Sequence, residues 1–562
     1  MKDFKNAIIE CVPNFSEGRD MGIIKQITDE VEKIEGVSLL DVDPGKATNR
    51  TVVTFVGNPQ AVIDAAFEAI KKAGELIDMR HHKGEHPRMG ATDVCPLIPI
   101  SGITTEETVE FAKQLAKRVG EELGIPAYLY EYAASADYRS NLADIRSGEY
   151  EGIAAKIVQP EWKPDYGPAK FNEKSGSTVI GARDFLIAYN VNLNTTSTRR
   201  ANSVAFDVRE KGRTKKDEKG KPAKDANGEL IWEPGLLKSV KGIGWYIEEY
   251  GIAQISMNLT NMHITPLHVA FDTVCERATA RGMRVTGSEL VGLVPLQAML
   301  DAGRYFLHKQ QRSTGVGDAE LVRIAIKSMG LDELGPFDPQ KKIIEYCMRD
   351  TTAKKLVDMS LTRFAEETAS ESPAPGGGSI AAYCGAMGAA LGTMVANLSS
   401  HKQGWDSRWE EFSNYAEQGQ AILKEMLYLV DEDTNAFNKI MAAFGLPKGN
   451  DEEKAARKAA IDAATIYAIQ VPYRTMVLAY QSFDLAKAMA EIGNPNSVSD
   501  AGVGALCARA AVKGAYLNVI INAQGLKDNA DVKEIVENAR LMNEGADRME
   551  KEIWDIVNSK IK

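Results

Sequence analysis

The sequence predicts a multidomain protein in which two α/β subdomains are followed by an all-α helical-bundle domain. Three observations predict this order. The chain has 562 residues, which is too long for one hydrophobic core. Roughly its first 330 residues alternate strand-like and helix-like segments, a pattern typical of sheets layered with helices. From about residue 350 onward, Ala-rich amphipathic helices run to the end with almost no strand signal, as in a helical bundle.

The elements of the first α/β pattern follow from short apolar runs and from helical periodicity. Apolar and β-branched residues cluster between turn residues and predict strands at 7–13, 36–43, 50–57 and 92–100. Apolar residues that recur every three or four positions predict helices at 20–34 and 60–79.

A second α/β pattern begins after a loop rich in Gly, Pro and Lys. Strands are predicted at 183–193, 242–251, 252–259 and 283–295, with the middle two paired to each other, and helices at 197–210 and 266–281. A Lys-, Gly- and Asp-rich insertion near 211–230 interrupts this pattern. It is interpreted either as a solvated loop or as a binding surface for a polyanionic ligand tail.

Domain boundaries are predicted where the character of the sequence changes. Residues 1–181 and 182–331 form the two α/β subdomains, 332–348 a linker, and 349–562 the helical domain.

Charge and cysteine usage exclude several classes of protein. The net charge of -11 argues against a nucleic-acid binder, which needs a clustered basic surface. The six cysteines form no CxxC pair, so neither a disulfide scaffold nor a zinc knuckle is expected. No export signal is predicted, because Lys2 and Lys5 are not followed by a long apolar run. We expect reduced thiols and a cytoplasmic protein.

Residues 380–398 raise the question of a membrane span, because they carry no charge and contain a GxxxG pair at Gly388 and Gly392. About half of them are Gly or Ala, which contribute little transfer free energy. The sequence therefore favours a buried helix in a tight bundle and predicts no transmembrane segment.

The stretch from Met79 to Gly90 holds three of the seven histidines. His82 and His86 have the spacing of a zinc helix, but Gly84 and Pro87 interrupt helical structure and the neighbouring cations repel a metal ion. Positive neighbours favour the neutral imidazole that a general base needs. Arg88 is the candidate for a substrate carboxylate. His81 and His82 receive no predicted role.

Four segments of the first 330 residues carry a resemblance to a known family. "ECVPNFSEGR", "LLDVDPGKATNRTVVTFVG", "LIDMRHHKGEHPRMGATDVCPLIPI" and "KGIGWYIEEYGIAQISMNLT" resemble the glutamate formiminotransferase family. The resemblance implies transfer of the formimino group of N-formimino-L-glutamate to N5 of tetrahydrofolate, with His86 as the catalytic base. Asp43 either orients that imidazole or forms a turn before Pro44.

The resemblance also implies a folate-binding segment at 167–176. A loop rimmed by Gly and Pro, with an aromatic ring, can offer backbone groups and a flat face to a pterin. Ser175 stands where the vertebrate pattern has tryptophan. The implied contact residues are Gly167, Pro168, Ala169, Lys170, Phe171, Asn172, Glu173, Lys174, Ser175 and Gly176.

In the helical half, one carboxylate can be singled out by periodicity. An apolar stripe of Met426, Val430, Phe437, Ile440 or Met441, and Phe444 has a gap that Asp433 fills. This places Asp433 on the predicted buried face, with Asp431 and Glu432 pointing elsewhere. A carboxylate in apolar surroundings tends to have a raised pKa, which suits proton transfer near neutral pH. The alternative is a buried Asp with a purely structural hydrogen bond.

The helical half is similar to formiminotetrahydrofolate cyclodeaminase in "SPAPGGGSIAAYCGAMGAALGTMVANLS", "LVDEDTNAFNKIMAAFGLPK" and "GNPNSVSDAGVGALCARAAVKGAYLNVIIN". The resemblance implies Asp433 as the catalytic residue. Gly376, Gly377, Gly378 and Ser379 lack a P-loop Lys; their N–H groups could receive a ligand, or Ser379 could cap the helix. Asn518 and Asn522 are candidate amide partners for the pteridine, or ordinary buried amides.

Together the two resemblances imply a bifunctional folate enzyme of histidine degradation. The formimino group would pass from N-formimino-L-glutamate to tetrahydrofolate, with or without a polyglutamate tail, and cyclisation to 5,10-methenyltetrahydrofolate would release ammonia. No metal or nucleotide is expected, and the helical domains are expected to form a homo-oligomer. Two alternatives are a transferase joined to a methenyltetrahydrofolate cyclohydrolase-like domain, and a folate-binding scaffold with inactive sites.

Overall fold

The structure is a computed structural model that describes residues 4, 7–46, 49–84, 87–348 and 355–561. The chain forms two compact units. The first unit comprises residues 1–299 and 329–349, and the second comprises 300–328 and 350–562. The predicted boundary at 331 assigned residues 300–328 to the transferase, whereas in the structure they group with the helical bundle.

The first unit begins with a seven-stranded mixed sheet among its described residues. The sheet order is β1-β4-β2-β5-β7-β6, with β3 paired to β4. Parallel pairing is confined to β5, β7 and β6. The strands are β1 (Ile8–Cys11), β2 (Asn14–Phe15), β3 (Val37–Gly45), β4 (Arg50–Gly57), β5 (Thr92–Ser101), β6 (Ala127–Glu131) and β7 (Thr178–Ala182).

Helices pack on both faces of this sheet, three longer ones on one face and two short ones on the other, and their ends follow from capping residues. The Asp20 and Asn58 side chains accept hydrogen bonds from first-turn N–H groups. Thr104 and Glu107 form a capping box at a helix that the sequence analysis had not singled out. The core beneath these helices is almost entirely apolar. The helices are α1 (Met21–Glu32), α2 (Pro59–Leu76), α3 (Thr105–Glu122), α4 (Leu142–Ile145) and α5 (Glu149–Lys156).

A second, antiparallel sheet follows in the order β11-β12-β8-β13. The predicted pairing of the strands near 242–251 and 252–259 is confirmed, since Val240 to Ile247 pair with Leu259 to Ile252. The elements are β8 (Ile187–Leu193), α6 (Thr198–Val208), β9 (Arg213–Thr214), β10 (Trp232–Glu233), β11 (Val240–Ile247), β12 (Ile252–Leu259), α7 (Leu267–Thr279) and β13 (Val285–Val291).

The Lys-rich insertion is a two-stranded ribbon of β9 and β10. Two successive tight turns are each closed by an aspartate, because Asp217 and Asp225 both accept backbone N–H groups from two and four residues further on. Its residues are mostly exposed, in agreement with a solvated loop.

The second unit is helical, as the sequence predicts. Its core is dominated by Ala, Met, Val and Phe from the long helices. The remaining helices of the chain are α8 (Leu296–Lys309), α9 (Asp318–Met329), α10 (Pro339–Lys342), α11 (Ile344–Cys347), α12 (Leu361–Thr368), α13 (Gly377–Ser400), α14 (Trp409–Phe444), α15 (Asp451–Ile492), α16 (Val498–Ala523) and α17 (Ala530–Ile561). Of these, α10, α11 and the start of α8 belong to the first unit.

The loop before α9 explains why residues 300–328 join the bundle. The Thr314 N–H donates to Ser413 Oγ of α14 at 3.0 Å. A Cβ at Gly315 would lie 2.3 Å from the Ala416 side chain, so only glycine permits this approach. The loop therefore packs directly on α14.

Two helical stretches among the described residues are long and apolar enough to cross a membrane, Gly377–Ser400 and Pro495–Leu526. The first includes α13, predicted from its charge-free composition. The two helices pack against each other through glycines: a Cβ at Gly388 would lie 2.9 Å from the Gly504 carbonyl oxygen. Such close backbone contact is typical of helices in a tight bundle.

Candidate active sites

The predicted folate segment and the histidine stretch are joined by backbone hydrogen bonds. We call residues 79–90 the histidine loop and residues 167–176 the glycine loop. At one end, the Met79 N–H donates to the Lys174 carbonyl at 2.9 Å. At the other end, the Ser177 N–H donates to the Met89 carbonyl at 3.1 Å. Two segments almost ninety positions apart in the sequence thus form one structure.

Two glycines make this junction possible. Gly90 and Gly176 pair as an isolated antiparallel bridge. A Cβ at Gly90 would lie 2.3 Å from the Ser177 carbonyl oxygen, and one at Gly176 would lie 2.2 Å from the Met89 carbonyl oxygen. Gly176 also has a φ of +69°, which L side chains rarely adopt. The final "MG" of the histidine loop and the last glycine of the glycine loop are therefore required for steric reasons.

The histidine loop is anchored further by a fully buried carboxylate. Asp93 of β5 accepts the Met89 N–H at 3.0 Å and pairs with Arg146 at 2.6 Å. Sequence analysis missed Asp93, because an aspartate near the start of a strand resembles a turn residue.

His82 is held as a neutral imidazole by its two neighbours. Arg88 Nε donates to His82 Nδ1 at 3.3 Å, so Nδ1 carries no proton. His82 Nε2 then donates to the Asn49 carbonyl at 2.9 Å. Burial, together with the charge of Arg88, lowers the pKa of His82. Both ring nitrogens are occupied, which gives His82 a structural role that the sequence did not indicate.

Arg88 is buried and its donors are used within the protein. It forms a two-point ion pair with Glu151 at 2.7 and 2.8 Å and contacts Glu149 at 3.0 Å. Its Nη2 also approaches the His82 carbonyl at 3.4 Å. A substrate carboxylate would have to displace Glu149 or Glu151, so the predicted role of Arg88 stays a prediction.

His86, the predicted base, lies outside the described residues, as does Glu85. The residues on either side of it are fixed. The Lys83 carbonyl accepts Asn49 Nδ2 at 3.1 Å, and the Arg88 carbonyl accepts the Tyr150 N–H at 2.8 Å. The chain thus enters and leaves the position of His86 from anchored points.

Asp43 lies near the end of β3 and is exposed. It pairs across the ladder with Val52, whose neighbours Val53 and Phe55 belong to the core. Opposed residues share a face and successive residues alternate, so Asp43 projects from the face opposite the core. This is the face opposite to the one that α1, α2 and α3 cover.

The same face carries a cavity of 510 Å³ whose lining includes Glu10, Asp41, Thr54 and Arg183. Glu10 is only 5% exposed. Burial raises the pKa of Glu10 to about 7, while the charge of Arg183 opposes the rise. Sequence analysis missed this carboxylate, although its position within the apolar run "AIIECV" was a signal.

The glycine loop has an exposed tip and a buried end. Pro168, Ala169 and Lys170 are exposed. Phe171 packs against Tyr150 with ring centroids 5.3 Å apart. The Ser175 N–H donates to Asn172 Oδ1 at 3.0 Å, and Ser175 is buried. Whether this loop contacts a pterin remains a prediction.

In the helical unit, Asp433 of α14 is fixed by the first turn of α13. Its Oδ2 accepts the Ser379 N–H at 2.9 Å and the Ser379 hydroxyl at 3.2 Å. Burial raises the pKa of Asp433, and the two bonds from Ser379 partly offset this. Within the part of the chain that the structure describes, Oδ1 accepts no hydrogen bond, so this carboxylate with its raised pKa can exchange a proton with a ligand through Oδ1.

One glycine in the first turn of α13 makes room for Asp433. A Cβ at Gly378 would lie 2.1 Å from Asp433 Oδ1. The helix begins at Gly377 with Gly376 at its N-cap, so the interpretation of Ser379 as the N-cap is wrong. The Ser379 N–H is bound to Asp433 rather than open to a ligand.

A cavity of 160 Å³ brings the predicted bundle residues together. Asp433, Asn518 and Asn522 line it with Gly376 and Gly377. Each amide is fixed by its Nδ2 group, which donates to the Gly514 carbonyl from Asn518 at 2.9 Å and to the Ala468 carbonyl from Asn522 at 2.8 Å.

The apolar stripe used to find Asp433 is only partly correct. Phe437, Met441 and Phe444 are about half exposed in the described chain. Glu432, predicted to point elsewhere, is 7% exposed and accepts hydrogen bonds from the Asn435, Lys439 and Tyr467 side chains. Periodicity could not show these partners, because Tyr467 belongs to another helix.

Comparisons with known proteins cover both units. Residues 8–183 match the family described as "Formiminotransferase domain, N-terminal subdomain", 188–349 match "Formiminotransferase domain", and 360–541 match "Formiminotransferase-cyclodeaminase". The chain is 41% identical over 557 residues to formimidoyltransferase-cyclodeaminase of Dictyostelium discoideum, with 99% of each chain covered. It is 42% identical over 536 residues to the protein of that name in Gallus gallus, with 95% of each covered.

A shorter match of 202 residues is 38% identical to methenyltetrahydrofolate cyclohydrolase of Methylorubrum extorquens and covers 36% of this chain and 97% of that protein. The unit with two sheets, the helical bundle and these matches define an enzyme with two activities. Within that class, the chain belongs to the formimidoyltransferase-cyclodeaminase family.

Proposed function

We propose that the two sites act in succession on one folate and that His86 and Asp433 move the protons. As a member of its family, the chain is a bifunctional enzyme, a glutamate formimidoyltransferase and a formimidoyltetrahydrofolate cyclodeaminase. Tetrahydrofolate is its folate substrate.

At the first site, N5 of tetrahydrofolate attacks the formimino carbon of N-formimino-L-glutamate. His86 takes the proton from N5 and returns it to the glutamate nitrogen as the carbon–nitrogen bond breaks. The observation that carries this proposal is the junction of the histidine and glycine loops at Gly90 and Gly176. It supports an arrangement in which a folate on the glycine loop lies beside the base.

His82 supports the choice of His86 in a second way. Its ring nitrogens are already bound to Arg88 and Asn49, so it lacks a free lone pair for proton transfer. The glutamate carboxylate could reach Arg88 if a glutamate side chain gave way, and this exchange is part of the proposal.

At the second site, N10 attacks the N5-formimino carbon, N10 loses its proton, and ammonia leaves to give 5,10-methenyltetrahydrofolate. Asp433 accepts the N10 proton and passes it to the departing nitrogen, which leaves as ammonia. Its buried position supports this role, because burial brings the pKa of a carboxyl closer to the working pH. Both reactions require only proton transfer and positioning, so we propose that neither a metal ion nor a nucleotide takes part.

The test supplies formiminoglutamate and tetrahydrofolate and follows methenyl-folate absorbance and ammonia. His86→Ala should stop the overall reaction while synthetic 5-formiminotetrahydrofolate is still cyclised. Asp433→Asn should leave 5-formiminotetrahydrofolate accumulating, with the second rate reduced at least ~100-fold. Ammonia release at the parental rate in Asp433→Asn would disprove the assignment. Loss of neither activity in either variant would point to different bases.

The shorter match to a cyclohydrolase favours one second candidate, hydrolysis of the methenyl bridge in the bundle. It is distinguished by supplying 5,10-methenyltetrahydrofolate alone. Its conversion to formyl-tetrahydrofolate faster than the uncatalysed rate, abolished in Asp433→Asn, would support hydrolysis. A scaffold with inactive sites would show neither reaction.

We further propose a homo-oligomer formed through the helical domains. Support comes from apolar side chains that α13 and α16 leave exposed, namely Met394, Leu398, Val503, Leu506 and Leu517. Exposed apolar patches of this kind mark association surfaces. Sedimentation of the full chain should show an assembly. The double variant with Leu398→Glu and Leu506→Glu should dissociate it. A monomeric parent chain, or one requiring detergent, would disprove this surface.

A further inference from the structure

A buried proline lies inside the longest helix of the bundle. Pro472 is an interior residue of α15, which runs from Asp451 to Ile492. Proline has no backbone N–H, so the carbonyl four residues earlier loses its helical donor, and the cost is about 3 kcal/mol in a helix interior. That carbonyl belongs to Ala468, which lines the cavity beside Asp433.

The carbonyl has a donor from another helix. Asn522 Nδ2 of α16 donates to the Ala468 oxygen at 2.8 Å. A carbonyl can only accept, so this bond determines which end of the amide faces α15. The amide nitrogen is turned toward Ala468, and Oδ1 is left as the acceptor at the cavity.

Asn518 lies one turn earlier on α16 and shows what a locally fixed amide looks like. Its Nδ2 donates to the Gly514 carbonyl of its own helix at 2.9 Å. Its orientation therefore does not depend on α15. Both amides commit their nitrogens to backbone carbonyls, so the cavity gains acceptors that match the N–H groups of a pteridine edge.

We infer that Pro472 is a positioning residue for the cyclodeaminase reaction: by freeing the Ala468 carbonyl, it holds Asn522 with its oxygen directed at the N–H donors of the bound folate. This inference rests on the proposed function of the Asp433 site. It explains why a proline lies in a buried helix next to that site.

The test is Pro472→Ala, which restores an N–H group that competes with Asn522 for Ala468. The KM for 5-formiminotetrahydrofolate should rise about 5- to 10-fold, the size expected for one hydrogen bond, with a smaller change in kcat. Thermal stability should be unchanged or higher, since alanine is the better helix residue. A proline needed only for packing would instead lower stability and leave KM unchanged.

A double-mutant comparison makes the test specific. Adding Pro472→Ala to Asn522→Ala should raise KM no further, because the amide it positions is already gone. Adding it to Asn518→Ala should multiply the two effects, which makes Asn518 the matched control. Independent effects of Pro472 and Asn522 would overturn the inference.

The failure of this inference and that of the proposed function are distinguishable. If Asp433→Asn is inactive and Pro472→Ala has the parental KM, only the positioning role is wrong. If Asp433→Asn releases ammonia normally, the site itself is misassigned. Transferase activity is measured in each variant as a control, because its retention shows that the rest of the chain is folded.

Discussion

The two sites differ in what holds them together. The proposed transferase site consists of two loops joined by backbone hydrogen bonds across Gly90 and Gly176. The bundle site consists of side chains that converge from separate helices, with Asp433 bonded to Ser379. Backbone junctions tolerate almost no added atom, whereas a side chain can turn aside. Sites with similar proton chemistry should therefore fail in different ways.

Their charges differ as well. Around the histidine loop, formal charges come in pairs, as in Arg88 with Glu151 and Arg146 with Asp93. In the bundle, the donors to Asp433 among the described residues are the neutral N–H and hydroxyl of Ser379. Paired charges keep groups ionised, while a lone buried carboxylate is pushed toward its neutral form. The first arrangement fixes geometry, and the second adjusts a pKa.

The largest expected effect comes from adding one methyl group at each site. Gly90→Ala would place Cβ 2.3 Å from a backbone oxygen, so the loops must separate; transferase activity should be abolished and the first unit destabilised by about 2–5 kcal/mol. Gly378→Ala would instead meet the Asp433 side chain, which can rotate away. Deaminase activity should be lost at nearly unchanged stability.

Calorimetry and separate assays of the two reactions provide the measurement for this glycine pair. Equal losses of stability in both variants would contradict the contrast between backbone and side-chain sites.

The next effect concerns the paired charges. Arg88→Ala removes the donor to His82 and releases Glu149 and Glu151, which are largely exposed and can be hydrated. We expect a transferase loss of about 10- to 100-fold, with about 2 kcal/mol of stability lost, less than for a fully buried pair. Deaminase activity should be unaffected.

The control for Arg88 is Glu151→Gln, which keeps a hydrogen-bond acceptor and leaves Glu149 in place. Its transferase loss should be smaller than that of Arg88→Ala. If Arg88→Ala raised only the KM for formiminoglutamate, Arg88 would bind the substrate carboxylate directly, and the predicted role would hold after all.

The secondary-structure elements that depend on local sequence pattern could be predicted from the sequence. Strand and helix alternation placed the first sheet, and the charge-free run at 380–398 marked α13. Gly90 and Gly176 lie in segments that the sequence identifies, although the contact between these two glycines could not be predicted from it. What could not be predicted depends on partners distant in sequence: Glu151 for Arg88, 63 positions away, and Tyr467 for Glu432, 35 positions away.

Periodicity also misjudged residues whose burial depends on neighbours beyond their own helix. Phe437 and Met441 fit an apolar stripe, yet they are exposed in the described chain. Periodicity turned Glu432 away from the predicted buried face, yet three donors from its own and a neighbouring helix make its burial possible. A carboxylate in an apolar strand, such as Glu10, presents the same difficulty.

Glu10 provides a test that depends on pH. Its pKa is raised in the folded state to about 7, so its contribution to stability is fully present below about pH 4.5 and is lost as the pH rises through about 7. Glu10→Gln should therefore stabilise the first unit by about 3 kcal/mol at pH 8.5 and by close to nothing at pH 4.5. Denaturant unfolding at both pH values measures this difference, and a difference independent of pH would exclude ionisation of Glu10 as its cause.

The smallest expected effect concerns the hydrogen bonds that Asp433 accepts in the helical bundle. Ser379→Ala removes one neutral donor from Asp433 but keeps the Ser379 backbone N–H bond. The pKa of Asp433, already raised by burial, should rise further, because hydrogen bonds to the ionised form lower it. If Asp433 acts as the base, the acidic limb of the deaminase pH profile shifts to higher pH, and the rate falls a few-fold near neutrality and recovers at alkaline pH. Stability should fall by only about 1 kcal/mol. A pH-independent loss of rate would mean that the hydroxyl orients Asp433 rather than adjusting its proton affinity, and the bundle site would then resemble the geometric design of the transferase site.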